Sequence, residues 1–99
     1  MKIYISGPMS GIPDLNRSAF SATASILVER GYRVVNPHDL TPERLPGEKD
    51  EEFYERCMAI DLSALRECQA IALLPGWQAS KGACRELQLA LELGLEVVH

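Results

Sequence analysis

Ala70-Ile71-Ala72-Leu73-Leu74-Pro75-Gly76-Trp77-Gln78-Ala79-Ser80-Lys81-Gly82-Ala83-Cys84-Arg85-Glu86 reads as a strand, a loop and the start of a helix. The first five residues are an apolar run of strand length, Pro75-Gly76-Trp77 marks a turn, and the chain continues into an apolar helix from Leu87 to Leu93. Ser80 and Gly82 at the helix opening offer a hydroxyl and backbone N–H groups, a natural seat for an anion. At about 100° per residue, Lys81, Arg85, Gln88 and Glu92 share one side of this helix, while Glu86 falls with Leu89, Ala90 and Leu93 on the apolar side. A carboxylate aimed at a core is costly unless it is paired or used.

Working outward, the same strand–loop–helix rhythm recurs. Lys2 to Ser6 is a β-rich run ended by the loop Gly7 to Pro13, which holds two glycines and two prolines. Asp14 or Asn16 is positioned to cap a helix with Ala19, Phe20, Ala22, Thr23, Ile26 and Leu27 on its apolar face, ending at Gly31. Tyr32 to Val35 is a second strand, stopped by Asn36-Pro37, and Thr41 to Asp50 is a long charged loop, expected to be mobile and to serve as a lid. A helical region spans about Glu51 to Arg66, and Leu95 to Val98 is a last strand after Gly94. The order βαβαβαβ with short apolar strands predicts one α/β domain over residues 1–99: three layers, flavodoxin-like or Rossmann-like, with a four-stranded parallel sheet in order 2-1-3-4. Ligands of such sheets bind beyond the carboxyl ends of the strands, where Ser6–Pro13, Asn36–Gly47 and Pro75–Ser80 converge. Strands 1 and 3 flank the switch point, so Tyr4, Ser6 and the Ser80–Glu86 stretch are expected to be neighbours.

Composition narrows the function classes. Ninety-nine residues, 46% of them hydrophobic and 24% charged, describe an ordinary globular chain. A net charge of -4 without a basic stripe argues against a nucleic-acid polymer as partner. Cys57, Cys68 and Cys84 are odd in number and form no C-x-x-C pair, so no disulfide or metal site is expected and a reducing cytoplasm is the natural setting. No apolar run approaches the roughly 20 residues that span a bilayer, so no membrane association is expected.

Glu86 reads equally as a partly buried structural carboxylate or as a nucleophile or base on a pocket floor. Asp61 strengthens the second reading, because it falls inside the apolar arc of Phe53, Cys57, Met58, Ile60, Ala64 and Leu65. An unbroken helix would carry Asp61 toward the far edge of the sheet, so a break before Asp61, with Asp61 capping a shorter helix, is expected. Ser6-Gly7-Pro8-Met9-Ser10-Gly11 is neither a P-loop nor a G-x-G-x-x-G fingerprint. It is a tight turn placed to touch a nucleotide or sugar. Trp77 is either a hydrophobic cover or a stacking surface for a base, and His38 reads as a polar loop residue.

Several of these stretches resemble a known group. Tyr4-Ile5-Ser6-Gly7-Pro8-Met9-Ser10-Gly11, Asn36-Pro37, Asp61-Leu62-x-x-Leu65-x-x-Cys68, Leu74-Pro75-Gly76-Trp77-x-x-Ser80-x-Gly82-Ala83-x-x-Glu86 and Ala90-x-x-Leu93-Gly94 resemble a small bacterial and phage family of uncharacterised domains. That family is similar to the nucleoside 2-deoxyribosyltransferases and the 2′-deoxynucleoside 5′-monophosphate N-hydrolases. The resemblance implies catalysis by Glu86, Asp61 and Tyr4. Glu86 matches the nucleophile that attacks C1′, Tyr4 the tyrosine that orients it, and Asp61 the residue that binds the base and protonates the leaving nitrogen. Ser6, Gly7, Met9, Gly11, Trp77, Ser80 and Gly82 are the expected substrate contacts. Nucleoside-specific transferases have a carboxylate where this chain has Ser80, and the monophosphate hydrolases have serine there, which favours a nucleotide over a nucleoside. The first loop lacks the hydrolases' phosphate-binding arginine, leaving Arg17 or Lys81 to substitute. The chain also lacks the fifth strand of the larger enzymes, whose subunits complete one another's sites, so a homo-oligomer is expected. No cofactor is implied. The alternatives are a non-catalytic nucleotide-binding module and a protein-interaction domain in which Glu86 is structural.

Overall fold

Alternation along two central strands organises the molecule. The computed structural model describes residues 1–98. The strands β1 (Lys2–Ser6), β2 (Arg33–Val35), β3 (Ala70–Leu73) and β4 (Glu96–Val98) alternate with the helices α1 (Arg17–Glu29), α2 (Asp50–Leu65) and α3 (Lys81–Glu92). All pairings are parallel and the sheet order is β2-β1-β3-β4, as expected for the flavodoxin-like arrangement. Because successive side chains of a strand point to opposite faces, Ile3, Ile5, Ala70 and Ala72 pack with Phe20 and Leu27 of α1. Tyr4, Ile71 and Leu73 face the other way and pack with Leu65 of α2 and Ala90 of α3. Pairing of Tyr4 with Ile71 and of Ser6 with Leu73 fixes Tyr4 and Ser6 on the face covered by α2 and α3. That register is what later brings both beneath Glu86.

Three expectations about helices are corrected. α2 is continuous from Asp50 to Leu65, so Asp61 lies inside a helix and caps nothing. The sixteen residues of α2 span about 24 Å, longer than the five residues of β1 at roughly 17 Å. The helix therefore begins beyond the carboxyl edge of the sheet, and its middle passes the loop cluster. An unbroken helix is compatible with Asp61 at the site for that reason. Asn16 occupies the N-cap of α1, but with a left-handed φ of 63° and no capping bond. Its side-chain amide donates instead to the Pro8 carbonyl at 3.0 Å, tying the first loop to the helix start. At the far end of α3, Leu93 is 40% exposed and not part of the core face, because it is the C-cap residue where the chain turns away.

Candidate active site

Glu86 is 5% exposed and, with Ser6, one of the two buried polar residues among those described. Its place follows from α3: Ser80 accepts a hydrogen bond from the Ala83 amide at 3.1 Å, fixing the first turn, and Ala83, Glu86 and Ala90 form the inward stripe. Beneath it, the Ser6 hydroxyl donates to Oε1 at 2.6 Å and the Tyr4 hydroxyl donates to Oε2. No cation pairs with the carboxylate among the described residues. Burial pushes the Glu86 carboxyl up to about 7, with the Ser6 and Tyr4 hydrogen bonds opposing the rise and the Asp61 charge adding to it. Burial, and then the negative charges of Glu86 and Asp61, raise Tyr4, so it stays a neutral donor.

Above this floor lies a cavity of about 370 Å³. Phe53, Tyr54, Cys57, Met58 and Asp61 of α2 form one wall, at the spacing of a single helix face. Gly7, Met9, Leu15 and Arg17 come from the first loop, Pro37, His38, Thr41 and Arg44 from the segment after β2, and Ser80, Gly82, Ala83 and Glu86 from the start of α3. Asp61 is half-buried, and burial pushes its carboxyl up to about 6. Two carboxyl groups that protonate near neutrality therefore share one cavity. A wider, shallower groove of about 530 Å³ between α2 and α3 is lined by Lys81, Arg85, Gln88 and Glu92 among others, but among the described residues no buried titratable group faces it. The two carboxyl groups with raised pKa gather instead at the smaller cavity.

Across residues 1–99 the chain matches the model of a family described as a domain of unknown function, DUF4406. The chain belongs to the DUF4406 family. No curated protein matches it significantly in sequence. Among solved structures, this DUF4406 chain is similar to a 2-deoxyribosyltransferase from Bacillus psychrosaccharolyticus, with a TM-score of 0.74 at 19% identity over 98% of this chain and 69% of that one. It is also similar to the Clostridium botulinum CMP N-glycosidase BcmB, with a TM-score of 0.63 at 18% identity over 98% of this chain and 66% of that one. A 2-deoxyribosyltransferase from Leishmania mexicana gives a TM-score of 0.62 at 19% identity, over 97% of this chain and 61% of that one. The DUF4406 chain thus spans about two thirds of each neighbour, and at these identities the likeness establishes the shared fold.

Of the expected site residues, the DUF4406 fold brings Glu86, Asp61, Gly7, Met9, Ser80 and Gly82 to one cavity, with Tyr4 directly beneath Glu86. Ser6 is fully buried and bonded to Glu86, so it holds the carboxylate and does not line the cavity. Gly7 is packed against Leu74: an added Cβ would lie 2.7 Å from the Leu74 Cβ. Gly11 lies outside the cavity lining, in the left-handed region at φ 80°. Trp77 packs against the Tyr4–Leu65–Ile71 cluster, on the cover side of its two readings, and is also outside the lining. Among the described residues, no group of three or more His, Cys, Asp or Glu is placed to hold a metal, and no helix is long and apolar enough to cross a membrane.

Of two further lining residues, Tyr54 goes unremarked in the sequence and His38 reads there only as a polar loop residue. His38 Nε2 and Tyr54 Oη are buried and have no hydrogen-bond partner among the described residues. His38 packs edge-on against Phe20, with ring centroids 4.8 Å apart. Burial and then the Arg17 charge lower its pKa, so the imidazole is neutral. Nothing in the local pattern marks either residue, because the signal lies in which bonds the folded chain leaves unmade.

Proposed function

We propose that this domain cleaves or transfers the N-glycosidic bond of a 2′-deoxynucleoside 5′-monophosphate or nucleoside through a glutamyl–deoxyribosyl intermediate. The observation that carries the reading is Glu86: a buried carboxylate on the cavity floor, oriented by two neutral hydroxyls and neutralised by no cation among the described residues. A structural carboxylate at such depth is ordinarily paired with a base. One oriented but left unpaired keeps a lone pair for a carbon centre. The occurrence of nucleoside-directed enzymes on the same fold supports the assignment.

In the proposed first step, a Glu86 oxygen forms a bond to C1′ while the bond from C1′ to the base nitrogen breaks. The electron pair leaves with the base, and the Asp61 carboxyl supplies the proton that neutralises it. In the second step, water attacks C1′, gives its proton to Asp61 and releases Glu86, or a second base nitrogen takes the sugar instead. Two carboxyl groups thus divide nucleophile and acid work, as in retaining glycoside hydrolysis. Ser80 and the amino end of α3 favour a ligand that carries a 5′-phosphate, since a carboxylate in place of Ser80 would repel it.

Chromatographic detection of free base over a panel of deoxynucleosides and their monophosphates tests the proposal. Base release by the wild type that disappears in Glu86→Gln, with ligand binding retained, is expected. Binding without release from any member of the panel would leave a nucleotide-binding module. Loss of stability in Glu86→Gln with no ligand effect would make the residue structural.

A further inference from the structure

Tyr54 stands on the cavity face of α2, and its buried hydroxyl donates to no acceptor among the described residues, the Arg85 guanidinium beside it being a donor only. Native folds rarely leave such a group unsatisfied without a use for it. The hydroxyl lies 3.7 Å from where a Cβ of Gly82 would stand, so it borders the first turn of α3. Arg85 Nη1 donates to both Glu55 carboxylate oxygens, at 3.0 and 2.9 Å, tying α2 to α3 beside it. Lys81 Nζ and the Arg85 guanidinium lie 5.5 and 5.6 Å from the centre of the Tyr54 ring. The hydroxyl is thus an ordered donor in locally positive surroundings.

Its position relative to the two carboxyl groups suggests what it meets. Gly82 precedes Glu86 by one turn of α3, about 6 Å of rise, and Tyr54 precedes Asp61 by two turns on the same face of α2, about 10 Å. A sugar with C1′ over Glu86 and its base toward Asp61 turns its 5′ end toward the start of α3, where Tyr54 waits.

We infer that the Tyr54 hydroxyl is the specificity contact for the 5′ substituent, donating to an anionic oxygen of a 5′-phosphate; this rests on the reading of the cavity as a deoxynucleotide site. Ser80 accepts from the Ala83 amide, which leaves its own proton free, so the Ser80 and Tyr54 hydroxyls can donate to the same group.

The test compares Tyr54→Phe with the parent, both on a Glu86→Gln background, by calorimetric titration with a 2′-deoxynucleoside 5′-monophosphate and the matching nucleoside. The expected result is a roughly tenfold or greater rise in Kd for the monophosphate, the scale of a lost hydrogen bond to a charged group, with the nucleoside unchanged within about twofold. Tyr54→Phe is expected to melt no lower than its parent, since it removes an unpartnered polar atom. Equal weakening of both ligands, no weakening of either, no monophosphate binding by the parent, or a melting temperature lowered by several degrees would each overturn the inference. Selective weakening in a protein whose wild type releases no base would retain Tyr54 as a phosphate reader and reject the catalytic reading alone.

Discussion

The Ser6 hydroxyl donates to Glu86 Oε1 across 2.6 Å, joining residues eighty positions apart in sequence. Parallel pairing of β1 with β3 puts Ser6 two residues beyond Tyr4 on one sheet face, and the inward stripe of α3 lowers Glu86 between them. Each carboxylate oxygen thereby has one neutral donor. The arrangement orients the group without cancelling its charge, the combination a nucleophile at a carbon bearing positive charge requires.

Ser6→Ala tests that arrangement. Loss of a hydrogen bond to a charged group costs about 1.5–3 kcal/mol, so stability at pH 8 should fall by about that amount, and by less at pH 5, where Glu86 carries its proton. The Ser6 bond lowers the Glu86 pKa, so its removal should also shift the acidic limb of any base-release profile to higher pH. Chemical denaturation at the two pH values, alongside that profile, checks both.

Glu86 itself makes the fold less stable as pH rises. Its carboxyl protonates at about 7 in the folded protein against 4.5 when free. Between those values the folded state binds more protons than the unfolded chain, so stability falls as pH increases and the loss is complete above pH 7. The gap corresponds to on the order of 3 kcal/mol, and Asp61 adds a loss of the same sign between 3.8 and about 6. From pH 5 to pH 8 the denaturation midpoint of the wild type should therefore drop well below its starting value, while that of Glu86→Gln should drop much less.

On the proposed assignment, Asp61→Asn separates the acid from the nucleophile. The pair should give a bell-shaped kcat/KM profile with apparent values near 6 and 7 that belong to the pair and not to single residues. The asparagine variant should lose the alkaline limb and fall 10²- to 10⁴-fold in base release. A deoxynucleotide whose base departs without protonation should lose far less. Because the Asp61 charge raises Glu86, the surviving acidic limb should move to lower pH.

Much of this site was legible before folding, and the remainder for definable reasons. Glu86 and Asp61 stood out because a charged residue on an apolar helix face violates the periodicity around it. The sheet order followed from the strand–helix alternation. An unbroken α2 keeps Asp61 at the site because the helix is longer than the strands beside it, which no pattern within residues 50–65 announces. Trp77 offered an aromatic ring after a turn, which is equally the pattern of a core cover, and only tertiary packing against the cluster that holds Tyr4 and Leu65 distinguishes the two. Tyr54 and His38 carried no local signal, because an unmade hydrogen bond has no sequence pattern.

Gly7 should tolerate no side chain. An added Cβ would stand 2.7 Å from the Leu74 Cβ and 3.0 Å from its Cδ1, and the Leu74 amide is bonded to the Ser6 carbonyl at 2.8 Å, so Leu74 has little room to retreat. Overpacking of this kind costs typically 1–3 kcal/mol. Gly7→Ala should lower stability by about that much in denaturant titration, and Leu74→Ala in the same chain should recover part of the strain while leaving a cavity of its own.

Arg56 should govern the order of the segment that closes the cavity on the side of Thr41 and Arg44. Its guanidinium bonds both Glu48 oxygens, at 2.7 and 2.9 Å, and the Glu43 carbonyl at 2.8 Å, while Glu48 in turn accepts from the Leu45 amide at 3.0 Å. One side chain on α2 thus staples a loop that composition alone marks as mobile. The Arg56 hydrogen bonds, with the Leu45 amide, hold the Glu48 carboxyl down at about 2. Arg56→Ala should return Glu48 toward the ordinary carboxylate range in an NMR titration. It should also accelerate amide exchange at Leu45 and Glu48 and raise KM severalfold while kcat changes little, since no reacting group is touched. Arg56→Lys retains the charge but not the planar fork that grips two oxygens, so it should restore only part of the Glu48 depression and part of the exchange protection. If exchange in the Thr41–Lys49 segment is as slow in Arg56→Ala as in the wild type, the fork does not order the loop.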